Sequence, residues 1–171
     1  LLHKFLPDEQ VDSIFEISPE QLKQQGIRGI ITDLDNTLVA WNEKAPSKVV
    51  FNWFQLMKEH GMKVTILSNN DKKRVTSFSE PLHIPFIYRA RKPLSRAFHQ
   101  AQKQMGLNRK EIAVVGDQLL TDILGGNLAG YHTILVIPIA KSDGFLTRIN
   151  RQIERRIMRL MKKRGMISWE E

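Results

Sequence analysis

A buried-strand signature that ends on a pair of carboxylates constrains this chain more than anything else in it: Gly29, Ile30, Ile31 and Thr32 run into Asp33, Leu34, Asp35, Asn36 and Thr37. The pattern returns downstream, where Ile112, Ala113, Val114 and Val115 lead to Gly116, Asp117 and Asp122. Short continuous apolar runs bounded by turn residues read as strands buried on both faces. Such runs occur at 29–33, 63–67, 85–88, 112–115 and 132–137, and helix-length periodic segments lie between them, at about 47–60, 72–80, 93–105 and 119–128. Strands alternating with helices build a parallel sheet clothed on both sides, so the expected architecture is α/β, in three layers, with about five strands. Pro93 suits a first helical position, and Gly61, Gly106 and Gly130 suit helix ends.

At 171 residues the chain fills one domain, and a chain of this size buries roughly two-thirds of its unfolded surface. The expected division is a main domain over 1–145 and a basic amphipathic tail over 146–171. Residues 1–26 are expected to pack on the sheet edge, with a helix capped by Ser18 ahead of Pro19 and Glu20. The absence of cysteine excludes a disulfide framework and a cysteine-based zinc site, and makes the cytoplasm the expected compartment. The longest apolar stretch, 133–140, is shorter than the ~18 residues a membrane-spanning helix requires and reads as a strand. Because the first residue is Leu1 and not methionine, a short upstream piece is expected.

Net charge is +8, and its placement matters more than its size. Residues 1–145 hold 18 basic and 15 acidic side chains, so the remaining +5 belongs to the last 26 positions. There, 146–163 reads as a helix with Ile149, Ile153, Ile157 and Leu160 or Met161 along one stripe, and eight Arg or Lys against one Glu between Arg148 and Arg164. Three readings stay open: an anionic membrane surface bound through 146–164, docking of the stripe on the domain's own core, and RNA binding through the arginines.

The chemistry sits in the acids. Alternation aims Asp33 and Asp35 the same way at a strand end, where two like charges repel unless a cation compensates. Asp117 and Asp122 follow another parallel strand, and parallel sheets bind ligands beyond their carboxyl ends, so all four should meet in one crevice. Hard oxygen ligands of this kind suit Mg2+. Ser68 ends a third strand with a hydroxyl able to bond a phosphoryl oxygen, its alternative being a helix cap over 69–72. Lys92 precedes Pro93 and is expected beside a helix N-terminus, where an anion is favoured.

In order along the chain, D-x-D-x-T at Asp33, Asp35 and Thr37, a hydroxyl at Ser68, a lysine at Lys92 and G-D-x-x-x-x-D at Gly116, Asp117 and Asp122 resemble the four motifs of the haloacid dehalogenase superfamily of phosphatases. The resemblance covers 28–138 and implies a Rossmann-like fold. It also implies Asp33 as nucleophile, Asp35 as acid and base, and Ser68, Asn69, Thr37 and Lys92 around the phosphoryl group. Mg2+ would be held by Asp33, Asp35 through its backbone carbonyl, and Asp117, with Asp122 acting through hydrogen bonds. Neither 37–68 nor 68–92 is long enough for an inserted cap domain, so the chain resembles the capless class IIIA. Within it, Phe5-Leu6-Pro7 and the D-L-D-N-T-L core are similar to bacterial relatives of phosphatidylglycerophosphate phosphatases. That implies a lipid phosphate monoester as substrate, and with the basic tail over 146–164 it makes a peripheral place on the inner face of the membrane an expectation.

Two rivals follow from the same residues. A phosphoacceptor receiver domain also uses an acid pair, a hydroxyl and a lysine, but places its acceptor on the third strand. An RNA- or ribosome-associated module would make the tail the working part. Trp41 is expected either at the substrate entrance or partly buried, and Gly125 and Gly126 are read as close-packing positions between helix and sheet. The histidines show no ligand spacing.

Overall fold

The structure, a computed structural model, describes residues 1–140 and 145–169, with 145–148 as backbone only. The expected boundary at 145/146 therefore adjoins a segment, 141–144, outside the described residues, as are the last two residues of the tail. Six strands form one parallel sheet: β1 (Glu9–Val11), β2 (Gly29–Thr32), β3 (Lys63–Leu67), β4 (Phe86–Ile87), β5 (Ile112–Gly116) and β6 (His132–Val136), in the order β1-β6-β5-β2-β3-β4. The sheet has one strand more than expected. β1 carries Glu9 and Gln10, so no apolar run announces it. It is held by pairing with β6 and by the Asp8 carboxylate, which accepts from the Thr133 N–H at 2.8 Å.

β2 lies at the centre, with Thr32 level with Ile66 of β3 and Val115 of β5. That register brings Asp33, Ser68 and Asp117 to one edge. Among the described residues, five α-helices connect the strands, α1 (Pro19–Gln24), α2 (Lys48–Glu59), α3 (Lys72–Ser79), α4 (Ser95–Met105) and α5 (Leu124–Ala129), and α6 (Phe145–Lys163) follows β6. Ser18, Ser47 and Asp71 cap α1, α2 and α3 by accepting from the backbone N–H of the third residue of each helix. Ser68 is thus not the cap of α3. Its hydroxyl accepts from Asn70 N and shapes the loop ahead of the helix.

Successive strand residues enter opposite cores. Ile30 and Val115 face Val50, Trp53, Met57 and Phe78 of α2 and α3, whereas Ile31 and Val114 face Ala97, Phe98 and Met105 of α4. Phe78 and Phe98 are fully buried, each contributing roughly 2–3 kcal/mol. A third cluster joins Leu119, Ile123 and Leu135 to Met161 of α6 and to Phe5 near the N-terminus. Gly125 and Gly126 hold α5 against its neighbours, since a Cβ there would meet the Phe98 ring at 2.6 Å and the Thr133 methyl at 2.6 Å.

Two boundaries differ from expectation. α4 begins at Ser95, because Lys92 and Pro93 are the central residues of a turn closed by Leu94 N–H to Arg91 C=O at 3.0 Å. Pro93 therefore precedes the helix, and Lys92 lies three residues upstream of it. The 119–128 segment opens with a π-helical turn, Leu119–Ile123, ahead of α5. Between Thr37 and Ser68 the chain builds only α2 and β3, and between Ser68 and Lys92 only α3, a 3-10 turn and β4. No described helix is long and apolar enough to cross a membrane.

Candidate active site

Asp33 continues directly from β2, and its backbone N–H still bonds to Val115 C=O at 2.9 Å. Lys92 reaches it from the turn after β4: Nζ donates to Asp33 Oδ1 at 2.7 Å and to Asp122 Oδ1 at 2.7 Å. Burial on its own would drive Lys92 toward its neutral form, but Asp122 and Asp33 outweigh it and hold the ammonium charged, above the usual lysine range. Its placement comes from these carboxylates and from Asn69, not from a helix N-terminus. The Asn69 side chain accepts from Lys92 N–H at 2.7 Å and donates to Lys92 C=O at 3.2 Å, locking the two loops together.

Asp122 projects from the π-helical turn, with Oδ1 on Lys92 and Oδ2 accepting from Gln118 N–H at 3.2 Å. Burial, opposed by Lys92, pushes its carboxyl up to about 6. Gly116 is required beside it, since a Cβ at that position would collide with the Asp122 carboxylate. Thr37 Oγ1 lies 3.4 Å from Asp33 Oδ2 and 3.3 Å from Asp117 Oδ1. The Asp35 carboxylate is turned toward α3. Arg74 Nε and Nη2 donate to Oδ1 at 3.1 and 2.9 Å, and Asn70 Nδ2 donates to Oδ2 at 2.9 Å. Burial raises the Asp35 pKa against these partners, aided by the nearby Asp33 charge.

Asp117 is tied to α6. Arg151 Nη2 donates to Asp117 Oδ2, while Arg151 Nη1 donates to Asp117 C=O at 2.7 Å and to Glu154 Oε2 at 3.1 Å. Glu154 in turn accepts from Leu120 N–H at 3.0 Å, at the head of the π-helical turn. Burial raises Asp117 well above the usual carboxylate range even though Arg151 opposes it, and Asp33 and Asp122 raise it further. Sequence reasoning missed Arg151, Glu154, Arg74 and Asn70. A signal existed for the first two: Glu154 is the single acid of a cationic helix, three residues from Arg151.

These loops enclose a crevice of about 410 Å3 lined by Asp33, Asp35, Ser68, Asn69 and Lys92, with Asn150 contributed by α6. Thr37 is buried beneath it, against the acids. A larger cleft of about 520 Å3 lies at the opposite end of the sheet, near Phe51, Met62 and Pro85, and no carboxylate lines it. In the crevice, oxygens of Asp33, Asp117 and Asp122 lie within 4.8 Å of one another. Among the described residues, four acids, Asp33, Asp117, Asp122 and the Glu154 that shares Arg151, face the two cations Lys92 and Arg151, so carboxylates outnumber cations. The Thr37 hydroxyl has one proton to share between Asp33 Oδ2 and Asp117 Oδ1, so one of these oxygens is always left without it. Excess negative charge, hard donors and an under-satisfied oxygen fit a divalent cation such as Mg2+.

Comparisons with known proteins agree with this geometry. The HAD-hydrolase-like family model matches residues 89–137. The chain is 60% identical over 167 residues to a protein of Bacillus subtilis described as probable phosphatase YqeG, covering 98% of this chain and 97% of that one. It is 28% identical to the phosphatidylglycerophosphate phosphatase 1 of Arabidopsis thaliana over 94% of this chain but about half, 49%, of that protein. The cobalt-bound deoxy-D-mannose-octulosonate 8-phosphate phosphatase YrbI of Haemophilus influenzae superposes with a TM-score of 0.57 at 16% identity, covering 86% of this chain and 96% of that one, which shows the shared fold.

Proposed function

The chain belongs to the haloacid dehalogenase-like phosphatases, as a member without a cap domain, and we propose that it hydrolyses phosphate monoesters through an aspartyl phosphate on Asp33. The observation that carries this reading is the buried Lys92 ammonium, held 2.7 Å from both Asp33 and Asp122 in the lining of the crevice. One lysine orients the nucleophile and supplies positive charge where phosphoryl oxygens would lie.

An Asp33 oxygen attacks phosphorus and the bond from phosphorus to the leaving alcohol breaks, while Asp35 gives that oxygen a proton. Asp35 then takes a proton from a water that attacks the same phosphorus, the bond to Asp33 breaks, and inorganic phosphate leaves. The raised pKa of Asp35 suits a group that must hold a proton before giving it up, and Arg74 with Asn70 fixes its position. Ser68, Asn69 and Lys92 line the space for the phosphoryl oxygens. Thr37 serves by holding Asp33 and Asp117 together from below. Mg2+ would be held by Asp33, Asp117 and the Asp35 backbone carbonyl, where it would neutralise charge between an anionic nucleophile and an anionic ester. Asp122 orients Lys92 through Oδ1, with its Oδ2 held by the Gln118 N–H.

The substrate we propose is a lipid phosphate monoester such as phosphatidylglycerophosphate. An uncapped crevice admits a bulky ester, and the similarity to the Arabidopsis phosphatase supports that class. The enzyme would act from the cytoplasm at the inner face of the membrane. Rapid acid quench with a radiolabelled aryl phosphate and Mg2+ tests the chemistry: hydroxylamine-labile label should appear on the wild-type protein and not on Asp33→Asn. Turnover by Asp33→Asn at the wild-type rate would overturn it. Comparing kcat/KM for detergent-dispersed phosphatidylglycerophosphate with that for sugar, nucleotide and peptide phosphates tests the substrate class.

A further inference from the structure

Helix α6 has two faces with different work. Arg151, Glu154, Met158 and Met161 recur at i, i+3, i+7 and i+10 and point inward, to the acid loop and the third core cluster. Ile149, Ile153, Arg156, Leu160 and Lys163 recur at i, i+4, i+7, i+11 and i+14 on another face, and all are exposed. The apolar stripe read from the sequence is therefore divided, with Ile157 and Met161 inside and Ile149, Ile153 and Leu160 outside. Arg155, Arg156, Arg159, Lys162, Lys163 and Arg164 are exposed as well, while the helix's single acid, Glu154, is buried against Arg151. Six like charges with no acid interleaved repel one another, which a merely solvated face has no reason to retain.

The second observation is at the crevice mouth. Trp41 N–H donates to Asn36 Oδ1 at 3.1 Å and Ile139 N–H donates to Asn36 C=O at 3.0 Å, so both residues border the loop carrying Asp33 and Asp35. Asn150 lines the crevice from α6, with Ile149 beside it and Ile153 one turn on. Trp41, Ile137, Ile139, Ile149 and Ile153 are each between 43% and 51% exposed. Exposed apolar side chains thus lie within a few residues of the groups that line or support the crevice, at 41, 137 and 139 beside the Asn36 loop and at 149 and 153 beside Asn150, and α6 continues from there as a cationic helix.

We propose that this rim and the outer face of α6 form a docking surface for an anionic phospholipid bilayer, with the aliphatic and indole groups at the acyl boundary and the arginines among headgroup phosphates. An RNA partner would explain the cations but draws nothing from isoleucines, because single strands are held by stacking on aromatic faces. The docking deepens the lipid-phosphate reading by setting the crevice at the depth where a headgroup phosphate lies. Vesicle binding without substrate can nevertheless be measured apart from that reading.

The full chain is floated with vesicles of phosphatidylcholine alone and of phosphatidylcholine mixed with phosphatidylglycerol. Binding is expected to the mixed vesicles, weakening as salt rises. Combined Arg155→Glu, Arg156→Glu and Arg159→Glu should lower affinity about tenfold or more. Trp41 emission should shift to the blue on binding, a shift absent in Trp41→Phe. The charge-reversed protein should keep wild-type turnover of a soluble aryl phosphate. Equal binding to neutral vesicles, an unaltered affinity after the charge reversals, or binding of a single-stranded RNA with no binding of vesicles would overturn the proposal. Vesicle binding with no hydrolysis of detergent-dispersed phosphatidylglycerophosphate would leave the docking surface standing and remove the lipid-substrate reading.

Discussion

At the amino ends of the strands, Arg28 meets Glu111 at 3.2 Å with side chains 66% and 25% exposed, and His60 meets Glu20 at 2.7 Å in similar contact with water. At the carboxyl ends, Lys92 meets Asp33 and Asp122 at 2.7 Å with no side chain of the three more than 10% exposed. The first pairs can be lost with little consequence, since water replaces each partner. The second network depends on its one cation, and removing Lys92 leaves two carboxylates stranded in a low-dielectric site. Buried ionic networks are a poor way to stabilise a fold, so their concentration at one end of the sheet marks where the molecule gives up stability for chemistry.

The most severe test of that contrast is Asp33→Asn. Mg2+-dependent phosphate release should fall by at least about 10³-fold. The melting temperature should hold or rise, because one of three crowded carboxylates is neutralised while Lys92 keeps Asp122. A clear loss of stability would mean that Asp33 is structural.

Next comes Lys92→Met, which strands two buried carboxylates. It should cost about 3 kcal/mol in urea unfolding and lower kcat by roughly 10²–10³-fold. An unchanged unfolding midpoint would erase the difference between the two ends of the sheet.

Arg151→Ala should have an intermediate effect, on the order of 1–3 kcal/mol, as Asp117 and Glu154 both lose the guanidinium while keeping the Thr37 hydroxyl and the Leu120 N–H. Arg151→Lys should recover only part of it, because an ammonium cannot reach Asp117 and Glu154 in the same forked geometry. Full recovery would show that charge alone matters.

Glu111→Gln should have the smallest effect, a shift in Tm of about 2 °C or less at neutral pH. The Asn108 N–H, and then Arg28, hold the Glu111 carboxyl below its ordinary value of 4.5. A depressed folded pKa contributes stability that is present above 4.5 and lost as pH falls through the folded value. The gap between wild type and variant should therefore close in acid, and a gap that widens there would contradict the sign.

Asp33, Asp117, Asp122, Ser68 and Lys92 were legible because each follows an apolar run or holds a fixed place in a motif order, and parallel strands bring their carboxyl ends level whatever the helices between them do. β1 was not legible, because Glu9 and Gln10 join the sheet through backbone pairing and an aspartate contact 125 residues away in sequence. The start of α4 was misplaced because a proline serves a turn as well as a first helical position. The Arg74 contact with Asp35 and the Arg151 contact with Asp117 were hidden for another reason: an arginine on a polar helix face looks the same whether it meets water or a carboxylate.

Local pattern by itself determined that the chain alternates strand and helix, that its acids gather at strand ends, and that its last helix is amphipathic and basic. Only the tertiary structure decided which carboxylate shares which cation and which half of the α6 stripe turns inward. Periodicity is a property of one segment read along its own axis. Pairing and burial depend on what another segment, far away in the chain, brings to the same place.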